Sequence, residues 1–189
     1  MAGLTLDRIR SALAQPAPRQ SLHVEGYQKA AVLVPLCSDR GLELLFTKRT
    51  ETVETHKGHI SFPGGVVDET DTEIVETALR EAEEEVGLHR SCIEVLGMLD
   101  DMATPTGFVI TPVVGIICPS PQLTINHNEV AEVFQVPLSF FVDERNGRKE
   151  TRQVHGTDRE VWFFEFEGHI IWGATAIIIR SLLAKLMTR

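Results

Sequence analysis

Residues 64–88, GGVVDETDTEIVETALREAEEEVGL, carry nine carboxylates opposed by Arg80 alone. Like charges at helical spacing repel by a few tenths of a kcal/mol per close pair, so this concentration calls for a compensating cation. The spacing predicts a helix over 71–86, with Thr70 and Glu73 as a capping box and Gly87 as the stop. At ~100° per residue, Glu81, Glu84 and Glu85 share one arc, while Glu83 falls on the opposite side. Ile74, Val75, Ala78, Leu79, Ala82 and Val86 define the face turned to the core, and Glu85 sits inside its edge. A carboxylate there must be paired, protonated or bound to a cation, whereas Glu76 and Glu83 read as a solvated face. Oxygen ligands at this density suit Mg²⁺, which keeps waters and combines a few carboxylates with substrate phosphates. Arg80, ~40° from Glu84 on the same wheel, is placed to orient a carboxylate.

Two neighbouring stretches could complete such a centre. Pro63, Gly64 and Gly65 precede the helix, and paired glycines permit a close backbone approach, so that a carbonyl near Gly65 can join the metal ligands. The segment TKRTETVETHKGH, residues 47–59, carries Lys48, Arg49, His56, Lys57 and His59. Basic side chains there, directly before the acidic stretch, could bind an anion.

The elements that must position these groups follow from apolar periodicity. LTLDRIRSALAQ reads as an N-terminal helix ended by Pro16 and Pro18. AAVLVPLC (30–37) and LELLFTKR (42–49) flank the turn SDRG as a hairpin. IEVLGML (93–99) and FVITPVVGIIC (108–118) are strands rich in β-branched residues. NHNEVAEVFQVPL (126–138) reads as a polar loop, TRQVHGTDREVWFFEFEG as two strands around GTDR, and the chain ends in a short strand and a helix from about Ala174. Strands with one helix mid-chain and another at the end suggest a mixed sheet with helices on both faces.

A chain of 189 residues suits one domain with a sizeable core. A net charge of -9 argues against nucleic acid as a partner. The longest apolar stretch falls short of the ~20 residues of a membrane helix, so no membrane association is expected. The N-terminus lacks a signal-peptide pattern, which points to the cytoplasm. Cys37, Cys92 and Cys118 are odd in number and without paired short spacing, and read as buried thiols.

The acidic segment resembles the Nudix box of Nudix hydrolases. REAEEEVGL, Arg80 to Leu88, fits the second half of that box at every fixed position. The first half departs, with Asp71 in place of Glu and one extra residue before Arg80. The coenzyme A pyrophosphatase branch is similar in this respect, with Gly64, Gly65 and Asp68 matching its pattern. Its upstream signature is matched by Leu45, Thr47, Arg49, Gly58, Phe62, Pro63, Gly64 and Gly65, with Phe46 and Thr50 as mild departures. Glu54 stands where that branch has Arg, a reversal of charge that bears on the substrate. GFVITPVVG and the closing WGATA also look like this branch.

The resemblance implies an α/β (α+β) fold, a Nudix-type α/β/α sandwich with a mixed sheet between helices. The resemblance runs from about Gln28 to Leu186 and places such a domain at 28–189, after an N-terminal helix and linker at 1–27. It implies that Glu81, Glu84, Glu85 and a carbonyl near Gly65 hold Mg²⁺ or Mn²⁺ for hydrolysis of a phosphoanhydride in a nucleoside diphosphate derivative. On the branch reading that is coenzyme A, cut to 3',5'-ADP and 4'-phosphopantetheine, with Arg49 and Lys57 the preferred contacts to its phosphates. ADP-ribose, a nucleoside diphosphate sugar or a dinucleotide is the alternative substrate, and a non-catalytic binding module the alternative class. Glu84 is the first candidate for the general base and Glu129 the second, with Arg80 beside them as an orienting catalytic residue. A homodimer is compatible with this reading.

Overall fold

The computed structural model describes residues 4–14, 19–39, 41–51, 58–119, 121–154 and 156–187. In chain order the elements are α1 (Leu6–Ala14), β1 (Gln28–Cys37), β2 (Glu43–Arg49), β3 (Ile60–Ser61), β4 (Gly64–Val66), α2 (Ile74–Val86), β5 (Ile93–Met98), β6 (Met102–Ala103), β7 (Phe108–Ile117), β8 (Val130–Pro137), α3 (Leu138–Val142), β9 (Gly147–Val154), β10 (Thr157–Phe166), β11 (His169–Trp172) and α4 (Gly173–Met187).

β1 and β7 run parallel at the centre of the larger sheet, from Gln28↔Phe108 to Leu36↔Ile116. Strands covered on both faces need continuous apolar sequence, and AAVLVPLC and FVITPVVGII supply it. β2 and β4 pair antiparallel with β1, β5 and β6 with β7, and β3 and β8 with β2. The sheet is therefore mixed, as expected. Period-2 alternation sends Ala31, Leu33, Leu45 and Val113 to one face, where Ala78, Leu79, Ala82 and Val86 of α2 cover them. Val34, Leu36, Leu44, Phe46 and Val114 face the other way, onto Ile9 of α1 and Ile178, Ile179 and Leu182 of α4. The N-terminal helix is thus part of the core, with Ile9 fully buried.

β9, β10 and β11 form a second antiparallel sheet. Its inner face, with Phe164 and Ile171, joins the α1/α4 side of the core. Thr175 Oγ1 at the start of α4 donates to Ile60 O at 3.0 Å, tying the C-terminal helix to β3.

Three expectations from sequence are corrected. Residues 130–137 are strand β8, not loop, because β2 offers a free edge from Glu43 to Arg49 and pairing outweighs the polar side chains on the open face. Cys92 and Cys118 are not thiols but a disulfide, with Cα atoms 4.9 Å apart. The antiparallel register Ile93↔Ile117 places the two cysteines opposite each other, and Cys118 N–H donates to Cys92 O at 2.8 Å. Cys37 alone is a buried free thiol, its pKa pushed up to about 12 by burial. The third concerns the start of α2 and is taken up with the site. Pro16, Pro18, Arg40 of the first turn and His155 of the β9–β10 turn lie outside the described residues.

The disulfide closes a loop of sequence separation 26, worth about 3.5 kcal/mol of unfolded-state entropy. Urea unfolding of the oxidised protein should show that increment over Cys118→Ser, and dithiothreitol should remove it. Identical midpoints with and without reductant would contradict the bond.

Candidate active site

α2 begins at Ile74, three residues later than the sequence suggests, and its N-cap Glu73 makes no side-chain capping bond. The intended box is diverted into a local carboxylate network. Thr70 donates its N–H and hydroxyl to Asp68 Oδ1 at 2.9 and 2.8 Å, and Asp68 N–H donates to Asp71 Oδ2 at 2.9 Å. Short polar side chains compete with the helix for such bonds. The C-terminus follows expectation: Gly87 adopts φ 68° and returns its N–H to the last turn, the conformation glycine accommodates best.

Asp71 is freed from the helix for another task. Its carboxylate accepts from Thr77 Oγ1 at 2.8 Å and from Arg80 Nε and Nη2 at 3.1 Å each. The Arg80 guanidinium holds the Asp71 carboxyl down at about 2. Arg80 Nη1 reaches Glu81 Oε1 at 2.7 Å and Glu84 Oε2 at 3.1 Å, and Nη2 reaches Val66 O at 3.2 Å. Arg80 thereby fixes β4, the loop at Asp71 and two helix carboxylates with one planar group. The role of Asp71 was not visible in sequence; its one signal was its place where the Nudix box has Glu.

Glu81, Glu84 and Glu85 lie on the predicted arc in very different settings. Glu84 is exposed, Glu81 is half-buried and Glu85 is 3% exposed. Glu83 points away to solvent, with His89 3.8 Å from it. Because Arg80 draws Glu81 and Glu84 to itself, no three carboxylates, histidines or cysteines among the described residues close on a single point.

β4 passes against the helix at Gly65, where a Cβ would stand 2.5 Å from the Glu81 carboxyl carbon. At Gly64 a Cβ would meet Val32 Cα at 2.6 Å. Gly64 is therefore required by its close approach to the β1 backbone, and Gly65 lies directly beside the Glu81 carboxylate.

Glu85 carries the largest electrostatic stress. Burial pushes its carboxyl up to about 8; Arg49 opposes this, Glu81 and Glu129 reinforce it, and the Gly64 backbone eases it. Arg49 Nη1 stays 3.8 Å from Glu85 Oε1, a loose pair. Among the described residues, Glu85 Oε2 and Arg49 Nε are buried without a hydrogen-bond partner. An unpartnered buried carboxylate oxygen beside a second carboxylate, raised by burial in the same way, fits a divalent cation.

Glu129 is half-buried just before β8 and is close enough to act electrostatically on both Glu81 and Glu85. Asn126 Nδ2 donates to its Oε1 at 3.1 Å, and Thr50 N–H donates to its backbone carbonyl at 2.9 Å. The structure thus brings Arg49, Gly65, Arg80, Glu81, Glu84, Glu85 and Glu129 into one neighbourhood. Lys57, with Glu54 and His56, lies outside the described residues.

A NUDIX domain model matches residues 27–167. The chain belongs to the Nudix family. It is 40% identical over 185 residues, 97% of its own length and 95% of the relative's, to the Nudix hydrolase NudL of Cronobacter sakazakii. It is 39% identical over 188 residues to NudL of Klebsiella pneumoniae, covering 98% and 97% of the two chains. DR0079 from Deinococcus radiodurans shares the fold at TM-score 0.55 with 14% identity, over 88% of this chain and 86% of that one. The Nudix hydrolase RenU from M. smegmatis does so at 0.52 with 23% identity, over 64% and 76%.

A carboxyl whose folded pKa lies above its unfolded value of 4.5 contributes stability below pH 4.5 that is lost as pH rises through about 8. Chelator-treated wild type should therefore lose thermal stability between pH 5 and pH 9 relative to Glu85→Gln. Parallel stability curves for the two proteins would show that Glu85 is not the stressed group.

Proposed function

We propose that this Nudix protein hydrolyses the phosphoanhydride bond of a nucleoside diphosphate derivative, with coenzyme A as substrate and 3',5'-ADP and 4'-phosphopantetheine as products. The observation that carries the reading is the buried Glu85, left with an unpartnered oxygen and acted on by Glu81, whose carboxylate lies beside Gly65. Glu81, Glu84, Glu85 and the Gly65 carbonyl would hold Mg²⁺ or Mn²⁺. When bound, such ions neutralise charge on the diphosphate oxygens and make a water more acidic. The substrate branch rests on the signature from Leu45 to Gly65 rather than on the fold.

The chain's own groups have distinct parts in this scheme. Arg80 keeps Glu81 and Glu84 aimed outward from α2, and its own position is fixed by Asp71. Arg49, 3.8 Å from Glu85, balances the cluster's charge and is placed to contact a phosphate oxygen, a task also assigned to Lys57. Glu84 Oε1, the oxygen that Arg80 does not hold, accepts the proton of the attacking water. Glu129 is the second candidate because it faces the same cluster from outside the helix. Burial of Glu85 and half-burial of Glu81 lower the local dielectric, which strengthens every charge interaction at the reacting phosphorus.

Glu84→Gln and Glu85→Gln should each lower kcat at least ~100-fold with circular dichroism unchanged, the scale expected when charge stabilisation at the transition state is lost. Glu83→Gln should keep wild-type turnover. Full activity in both of the first two variants would overturn the site. A substrate panel with Mg²⁺ decides the branch. Coenzyme A should lead in kcat/KM, and ADP-ribose or a nucleotide sugar exceeding it by more than about tenfold would replace it as substrate.

A further inference from the structure

Residues 124–126, ahead of β8, run past the C-terminal end of α2. A helix leaves its last carbonyls without partners inside the helix. Here Thr124 N–H donates to Val86 O and Asn126 N–H to Glu85 O, each at 2.9 Å. Gly87 makes room for this segment, since a Cβ there would stand 2.7 Å from Thr124 N. Asn126 is thereby fastened to the backbone of the residue that carries the buried carboxylate of the site.

Asn126 also opens the tight turn that leads into β8. Its carbonyl accepts from Glu129 N–H at 3.0 Å and from Val130 N–H at 2.9 Å. Its Oδ1 accepts from Asn128 N–H at 3.2 Å, and its Nδ2 donates to Glu129 Oε1 at 3.1 Å. A turn of this kind is closed by the side-chain oxygen alone, a task that serine or aspartate also performs. The turn does not need the amide nitrogen, and that nitrogen is the group that reaches Glu129. From the other flank Thr50 N–H donates to Glu129 O at 2.9 Å and Thr50 Oγ1 to Asn128 O at 3.1 Å. The turn is thus clamped between α2, which carries Glu85, and the end of the strand that carries Arg49. Held there, the half-buried Glu129 acts on both Glu81 and Glu85. Two like charges would otherwise drive such a side chain out to water.

We propose that Asn126 is a positioning residue, whose side-chain amide holds the Glu129 carboxylate against the carboxylates of α2 and so sets how strongly the site takes a divalent cation. The inference rests on the phosphoanhydride reading, in which Glu81, Glu84 and Glu85 hold the metal. Asn126 acts through Glu129 and not on the substrate. Hydrogen bonds that orient the carboxylates of a metal centre are commonly worth about 10- to 100-fold in metal affinity or activity.

Calorimetric titration with Mn²⁺ alone, without substrate, should show Asn126→Ser binding about tenfold more weakly than wild type, since serine keeps an oxygen to close the turn and loses the donor. In a Glu129→Gln background the same change should alter affinity by less than about twofold, because the group it acts through is already gone. His127→Ala, at an exposed position of the same turn, should bind Mn²⁺ as wild type does. The side-chain amide resonance of Asn126 in the wild type should move on addition of Mg²⁺ and lose most of that shift in Glu129→Gln, a reading that does not require Asn126→Ser to fold. Wild-type Mn²⁺ affinity in Asn126→Ser, equal weakening in the two backgrounds, or an amide resonance indifferent to Mg²⁺ would each overturn the proposal. If no substrate is hydrolysed while Asn126→Ser weakens Mn²⁺ binding only where Glu129 is present, the positioning role stands and the hydrolase reading falls. If Glu85→Gln abolishes turnover while Asn126→Ser binds Mn²⁺ as wild type does, the reverse holds.

Discussion

One carboxylate sets the terms for the rest of the molecule. Glu85 lies on the inward side of α2, in a place where its neighbours Ala82 and Val86 are fully buried. An apolar side chain at this position would pack without penalty, so the charge is retained at a cost. Arg49 is too far away to neutralise it through a hydrogen bond, and the nearby Glu81 and Glu129 raise the cost further. The folded chain is thus held in a state that a divalent cation would relieve, the linkage by which binding free energy becomes site organisation.

The remaining architecture serves that arrangement. The parallel pair β1 and β7 gives α2 a rigid apolar bed, and β4 pairs with β1 so that Gly65 arrives against Glu81. Arg80 is the fastening. Its fork spans Asp71, Glu81, Glu84 and Val66 O, so the phase of the helix and the height of the glycine strand are fixed by one guanidinium. Asp71 does for Arg80 what a partner outside the metal ligands commonly does: it orients the orienting group. β3 also touches β11 of the second sheet.

Much of this was legible in the chain. Helix phase could be read because the apolar residues of α2 repeat at 3.6, and that phase alone sets Glu85 among core residues and Glu83 among solvated ones. The central strands could be read because a sheet covered on both faces needs uninterrupted apolar runs. What escaped depends on pairing across distance. Cys92 and Cys118 meet only because β5 and β7 are antiparallel with Ile93 opposite Ile117. Residues 130–137 are strand because β2 offers an edge, and their own composition is ambiguous. The capping box failed because Asp68 takes the Thr70 N–H that the Glu73 side chain would have accepted. EVWFFEFEG announced a strand, but aromatics at adjacent positions give no alternation, so the inner and outer faces could be told apart only by the register against β9 and β11.

The central claim is that the Glu85 carboxyl, held up to about 8 by burial, surrenders its proton when a divalent cation takes its unpartnered oxygen. Titration calorimetry of Mn²⁺ at pH 7, repeated in buffers of different ionisation enthalpy, counts the protons released on binding. Close to one proton per binding event in the wild type, falling to nearly none in Glu85→Gln, is the predicted result. Metal binding of unchanged strength with no proton release, or with equal release in the two proteins, would contradict it.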